Sequence, residues 1–121
     1  MTQYLLSLPH DTEESPTMET MDPDELQAAL EAAGGFINRL QSEGALVFAG
    51  GLYPPNTATT VDNTGDAAVM TDGPFVEAKE YLGGFWVIDV PDRDTALAWA
   101  KDASKSLGGR IEVRAFQEAP E

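Results

Sequence analysis

The sequence predicts an α+β fold of order β-α-β-(hairpin)-β-α-β, on three observations. Two segments, 22–44 and 92–109, carry helix start and stop signals around apolar residues at helical spacing. Four apolar runs, at 3–8, 45–53, 82–90 and 111–116, have the length and composition of strands. Between the second and third of them, two β-rich runs flank a polar turn. Two βαβ units with a hairpin between them make the ferredoxin-like pattern. Right-handed crossovers then put both helices on one face of an antiparallel sheet.

The elements follow in order. Residues 3–8 (QYLLSL) read as a short strand stopped by Pro9. Residues 9–21 hold two prolines and mostly polar or acidic side chains, hence an acidic loop. In the first helix Asp22 is the N-cap, Pro23 suits the first helical position, and Glu25 completes a capping-box-like pattern. Leu26, Ala29, Leu30, Ala33, Ile37 and Leu40 form its apolar stripe. Gly34 and Gly35 interrupt the helix at a cost of about 1 kcal/mol each relative to Ala, which predicts a close approach or a bend there. Gly44 ends it.

Residues 45–53 form the second strand, broken by Pro54 and Pro55. Residues 57–62 and 67–71 are the hairpin strands around Asn63-Thr64-Gly65-Asp66, and Asp72-Gly73-Pro74-Phe75 is a turn. After the strand 82–90, Asp92 caps a second helix with the stripe Ala96, Leu97, Ala100, Ala103 and Leu107. Gly108-Gly109 ends that helix, and 111–116 is the last strand.

Composition bounds the function. The chain has 121 residues with 7 Lys+Arg against 21 Asp+Glu, a net charge of −14. That length predicts one domain over 1–121, able to bury roughly 65% of its unfolded surface. The absence of cysteine excludes disulfides, thiolate zinc sites and cysteine nucleophiles, and a single histidine excludes a histidine-rich metal site. No cofactor is expected. A pI near 4.1 argues against binding a phosphate backbone or an anionic membrane. No apolar run approaches the roughly 20 residues of a membrane span, and no basic stretch precedes an apolar one at the N-terminus. A cytoplasmic protein is expected. Residues 1–38 hold no cation, and six of the seven cations lie at or beyond Lys79.

Both faces of the central strands look apolar. Phe85 and Val87 alternate with Trp86 and Ile88, and Ala45 and Val47 alternate with Leu46 and Phe48. A strand with one wet face would alternate apolar with polar. Two helices cover only one face, so a second copy is the simplest cover for the other. This predicts a homodimer with sheets packed face to face, about 10 Å apart. Trp86 is expected in that dimer core, with Trp99 at its edge.

Residues 70–80 (MTDGPFVEAKE) resemble the signature of the YCII-related family, in its DGPF-type branch. The resemblance runs on through Leu82-Gly83-Gly84-Phe85-Trp86-Val87-Ile88, Ala96-Leu97-Ala98-Trp99-Ala100 and Ile111-Glu112-Val113-Arg114. Upstream it includes Gly50-Gly51-Leu52-Tyr53-Pro54 and 57–61, so it covers most of 44–116. It implies a ferredoxin-like protomer in a dimeric α+β barrel. It implies little about activity, since most members are uncharacterised and many are labelled transcription-associated. The wider superfamily contains lyases, isomerases and monooxygenases. Some relatives carry a histidine in the first helix as a proposed acid-base group. Residues 23–43 here hold none, so that role is not carried over.

Candidate site residues follow from chemistry. Asp72 opens the DGPF turn as a ligand anchor or base, or simply as a turn cap. Glu77 is a second candidate acid-base carboxylate. Lys79 lies two residues on, on the same side of an extended segment, where it would hold an anionic group, with Glu80 beside it. Without a ligand these three are an exposed ion-pair cluster. Phe75, Tyr53 and Trp86 are candidate apolar walls. His10, the only imidazole, has a suitable ordinary pKa, although its neighbour Asp11 points away from it in an extended backbone. Gly50-Gly51 and Gly83-Gly84 read as bulges or close strand crossings, since neither precedes a helix as a phosphate loop does. Arg114 is expected to pair with Glu112 or with a partner chain.

The expected function is binding of a small anionic or aromatic metabolite in a cleft between the DGPF turn, residues 77–80 and the second strand. The alternatives are a metal-independent lyase or isomerase using Asp72, Glu77 or His10, and a transcription-associated regulator acting through protein partners.

Overall fold

The computed structural model describes residues 1–10, 22–73 and 81–118, and of His10 only the backbone. The elements are β1 (Thr2–His10), α1 (Pro23–Ser42), β2 (Leu46–Gly51), a 3-10 turn at Pro55–Thr57, β3 (Thr59–Asp62), β4 (Val69–Asp72), β5 (Tyr81–Val90), α2 (Arg93–Leu107) and β6 (Glu112–Ala115). The main sheet has the order β2-β5-β1-β6, and every neighbour pair is antiparallel. This is the ferredoxin-like arrangement, with β3–β4 as a separate two-stranded sheet.

Local signals set the helix ends. The Asp22 carboxylate accepts from the Asp24 N–H at 3.2 Å, one residue earlier than a strict capping box. Asp92 accepts from both the backbone N–H and the hydroxyl of Thr95, at 2.8 and 2.7 Å, which holds its carboxyl below the usual range. Gly44 and Gly108 have φ of 68° and 73°, the left-handed conformation that closes a helix. Gly34 and Gly35 do not mark a close approach. The helix is continuous, a Cβ at Gly34 would meet nothing within 4 Å, and one at Gly35 only the Arg39 guanidinium at 3.5 Å.

The core lies between the helices and one face of the sheet. Tyr4 and Leu6 of β1 and Trp86, Ile88 and Val90 of β5 meet Phe36 and Leu40 of α1 and Ala96, Ala100 and Ala103 of α2. Small alanines let α2 sit close to the sheet. Phe36, outside the stripe read from the sequence, is fully buried and meets Trp86 and Trp99 edge-on at 5.3 and 6.1 Å. Leu30, inside that stripe, is half exposed because the N-terminal half of α1 lies along an open cavity. Trp86 and Trp99 therefore belong to the helix-covered core, not to a surface between subunits.

Two bulges change what the alternation predicts. In β2, Leu46 pairs with Ile88 but Phe48 pairs with Val87, so Val47 is the extra residue. Leu46 and Phe48 therefore face opposite ways, and Phe48 joins Phe85 and Val87 on the face away from the helices. In β5, Gly83 is the extra residue opposite Leu8 and Pro9. The first strand also runs through Pro9 to His10. β6 pairs only with Tyr4–Ser7, so on that side Pro9 has no ladder to break. The hairpin forms as expected but with a longer connection, Asp62 pairing with Val69.

Candidate functional site

A depression of about 960 Å³ lies on the helix side of the sheet, where β2 ends and β5 begins. Its first wall is α1, which presents Ala28, Ala29, Ala32 and Ala33, flanked by Leu30 and Ile37. The floor is the sheet, where Ala49 stands opposite Trp86 and Gly51 opposite Gly84. Leu52 and Tyr53 continue from β2, and the last turn of α2, Lys105–Gly108, closes the far end. The cavity exists because small residues on the helix face small residues on the sheet. One turn further along α1, Phe36 and Leu40 meet Trp86 and Ile88 and leave no gap. A Cβ on Gly51 would meet nothing within 4 Å, so a side chain there would occupy the space.

The lining is apolar with a polar end. Among the described lining residues the ionisable groups are Lys105 and Tyr53, and Lys105 makes no ion pair with another described residue. The Ser106 hydroxyl is engaged: it accepts from Arg39 Nη2 and donates to Asp102 Oδ1, both at 2.9 Å. Arg39 in turn binds Asp102 through two parallel bonds, Nε to Oδ2 at 2.9 Å and Nη2 to Oδ1 at 2.6 Å. These hydrogen bonds from Arg39 hold the Asp102 carboxyl below its ordinary range and raise the guanidinium. The network ties α1 to the C-terminal end of α2, which is the end that forms the cavity wall.

The structure brings some of the sequence candidates together. Tyr53 and Trp86 both line this cavity. Asp72 does not: it is exposed at the end of β4, paired with Thr59. Phe75, Glu77, Lys79 and Glu80 lie outside the described residues, as does the side chain of His10, whose backbone pairs with Tyr81 where the chain re-enters the sheet. Among the described residues no cluster of three His, Asp or Glu side chains is placed to hold a metal. Arg114 Nε lies 3.8 Å from Glu112 Oε1, both exposed. Sequence reasoning missed the alanine wall and Lys105. The signal was there, as pairs of small residues four apart in the first helix and glycine pairs in two neighbouring strands.

The match to a family model for the YCII-related domain spans residues 4–118. An uncharacterised protein of Rhizobium meliloti (strain 1021) is 40% identical over 65 residues, which is 52% of this chain and 52% of that protein. The chain thus spans about half the length of the curated relative it matches. The extent of the family match, over a β-α-β-hairpin-β-α-β chain with sheet order β2-β5-β1-β6, makes this protein a member of the YCII-related family.

Proposed function

We propose that this protein is a cytoplasmic homodimer that binds a small aromatic molecule carrying one anionic group. The observation that carries the reading is the cavity: small residues on both walls, Trp86 and Tyr53 beside them, and Lys105 as its charged group at one end. A flat ring would lie between the alanine face of α1 and the glycine floor, with its anionic group toward Lys105. The cavity volume suits such a ligand, and the apolar walls suit its ring. The proposed site lies beside the second strand, on the α1 side of the sheet and away from Asp72.

A thermal-shift screen with hydroxylated aromatic carboxylates and lactones tests it. A ligand at about 100 times its Kd stabilises by about 2.7 kcal/mol. Gly51→Leu, which fills the floor, should abolish the shift while the unliganded midpoint is kept. A flat screen, or full binding by Gly51→Leu, overturns the reading. Consumption of a bound compound by the protein without metal would favour the lyase or isomerase alternative.

The dimer part rests on the uncovered sheet face, where Phe48 is 61% exposed and packs beside Phe85 at 5.9 Å between ring centres. A second copy would cover the rings. Sedimentation at micromolar concentration should find about twice the chain mass of 13.0 kDa. A folded species of single-chain mass would sink the dimer.

A further inference from the structure

We infer that the first three turns of α1, residues 23–33, are a lid hinged at Gly34-Gly35, which bends toward the sheet and presses Leu30 against a ligand in the cavity. This rests on the cavity being the binding site and adds how that site closes.

Three observations carry it. First, the glycine pair has no packing reason. Glycine is the poorest helix former after proline, yet two stand together inside a 20-residue helix. Among the described residues, a Cβ at Gly34 would meet nothing within 4 Å, and one at Gly35 would meet the end of the Arg39 side chain at 3.5 Å, an ordinary contact. Alanine would fit at both positions and would favour the helix. What glycine supplies there is a weak point, and such pairs are among the places where helices bend.

Second, the pair divides α1 into an anchored half and an unanchored one. On its C-terminal side Phe36 and Leu40 are fully buried and Ile37 packs against the core. Arg39, on the same side, is bonded to Asp102 and Ser106 of α2. On its N-terminal side no residue of 23–33 belongs to the core cluster or packs against it. Among the described residues the side-chain hydrogen bonds of that half stay within it and its cap, Gln27 Nε2 donating to Glu31 Oε1 and the Asp24 N–H to Asp22. A helical segment without tertiary packing is held by its own backbone alone, which is where local opening costs least.

Third, the unanchored half is the half that walls the cavity. Leu30 is its large apolar lining residue and is 49% exposed. Residues 23–33 span roughly 16 Å, so a bend of about 20° at the pair carries their far end about 5 Å and Leu30 about 2 Å. That is the difference between a loose wall and a contact. The glycine floor opposite offers no side chain at Gly51 or Gly84 to support Leu30, so a ligand is what it closes on. Apolar area buried between Leu30 and the ligand supplies the preference for the closed form that a lid requires.

Calorimetric titration with 1-hydroxy-2-naphthoate, an aromatic carboxylate of the proposed class, tests this on wild type and on the double substitution Gly34→Ala with Gly35→Ala. The double variant should have a higher urea midpoint, because alanine favours the straight helix. Its Kd for the naphthoate should nonetheless rise about tenfold, because the same preference opposes the bend. A glycine pair that merely weakened the helix would give higher stability with unchanged or tighter binding. Leu30→Ala should keep the urea midpoint and raise the Kd at least about threefold. Amide exchange of the free protein supplies a second readout: amides of 27–33 should exchange at least about tenfold faster than those of 38–42, and should gain protection with naphthoate. A double variant that binds as tightly as wild type, or even exchange along α1, overturns the hinge and leaves the site standing. Unchanged binding by Leu30→Ala overturns the lid contact. A wild type that does not bind the naphthoate, or full binding by Gly51→Leu, overturns the hinge together with the site.

Discussion

The two faces of the main sheet come from the same strands and carry similar side chains, yet only one is closed. On the helix side, Leu6, Ile88 and Val90 are 0 to 2% exposed beneath Phe36 and Leu40. On the other side, Phe48 is 61% exposed, while Phe85 and Val87 are partly buried. Apolar content therefore does not tell which face a chain closes by itself. Connection geometry does, because both crossovers must pass on the same side. The face without helices carries Phe48, Phe85 and Val87.

Substitutions on the two faces should separate this contrast. The largest effect is expected on the closed side, where Phe36→Ala removes the ring between Trp86 and Trp99 and should cost about 3–5 kcal/mol in urea unfolding. A loss below about 1 kcal/mol would mean that the helix layer is not the core. Next comes Gly108→Ala, which forces a Cβ into the left-handed conformation at the end of α2 and should cost about 1–2 kcal/mol. Phe48→Asp, on the open side, should change the stability of dilute protein by no more than about 0.5 kcal/mol. It should nonetheless abolish the proposed dimer. If it unfolds the dilute chain instead, the open face is not open.

The smallest effect is electrostatic and follows pH. Arg39 holds the Asp102 carboxyl below its ordinary value, so the folded-state pKa is the lower one. The contribution is then complete above the unfolded pKa of about 3.9 and is lost as pH falls through the folded value. Both side chains are partly exposed, so the effect is small. The gap in urea midpoint between wild type and Asp102→Asn should be constant near neutrality and close below about pH 4. A gap that widens in acid would reverse the assigned sign.

Legibility in the sequence tracks how local each feature is. The caps at Asp22 and Asp92 and the stops at Gly44 and Gly108 need only a few neighbouring residues, and they were readable. Phe36 was not, because its burial depends on Trp86 and Trp99, which reach it from distant parts of the chain. The site was half legible. Tyr53 and Trp86 were named as apolar walls, but the cavity is defined by side chains that are missing at Ala29, Ala33, Gly51 and Gly84, and periodicity scores what is present. Asp72 drew notice as a lone carboxylate in a turn, and only the path of β4 shows that it lies away from this cavity.

By itself, then, the sequence determined the succession of elements, their ends and the helix-over-sheet class, since these follow from short-range sterics, capping and hydrophobic spacing. The tertiary structure decided which way each strand residue faces beyond Val47 and Gly83, because one inserted residue turns every later side chain to the opposite surface. It also decided where the cavity lies, because an empty volume arises only when small residues from separate elements meet across a gap that no side chain fills.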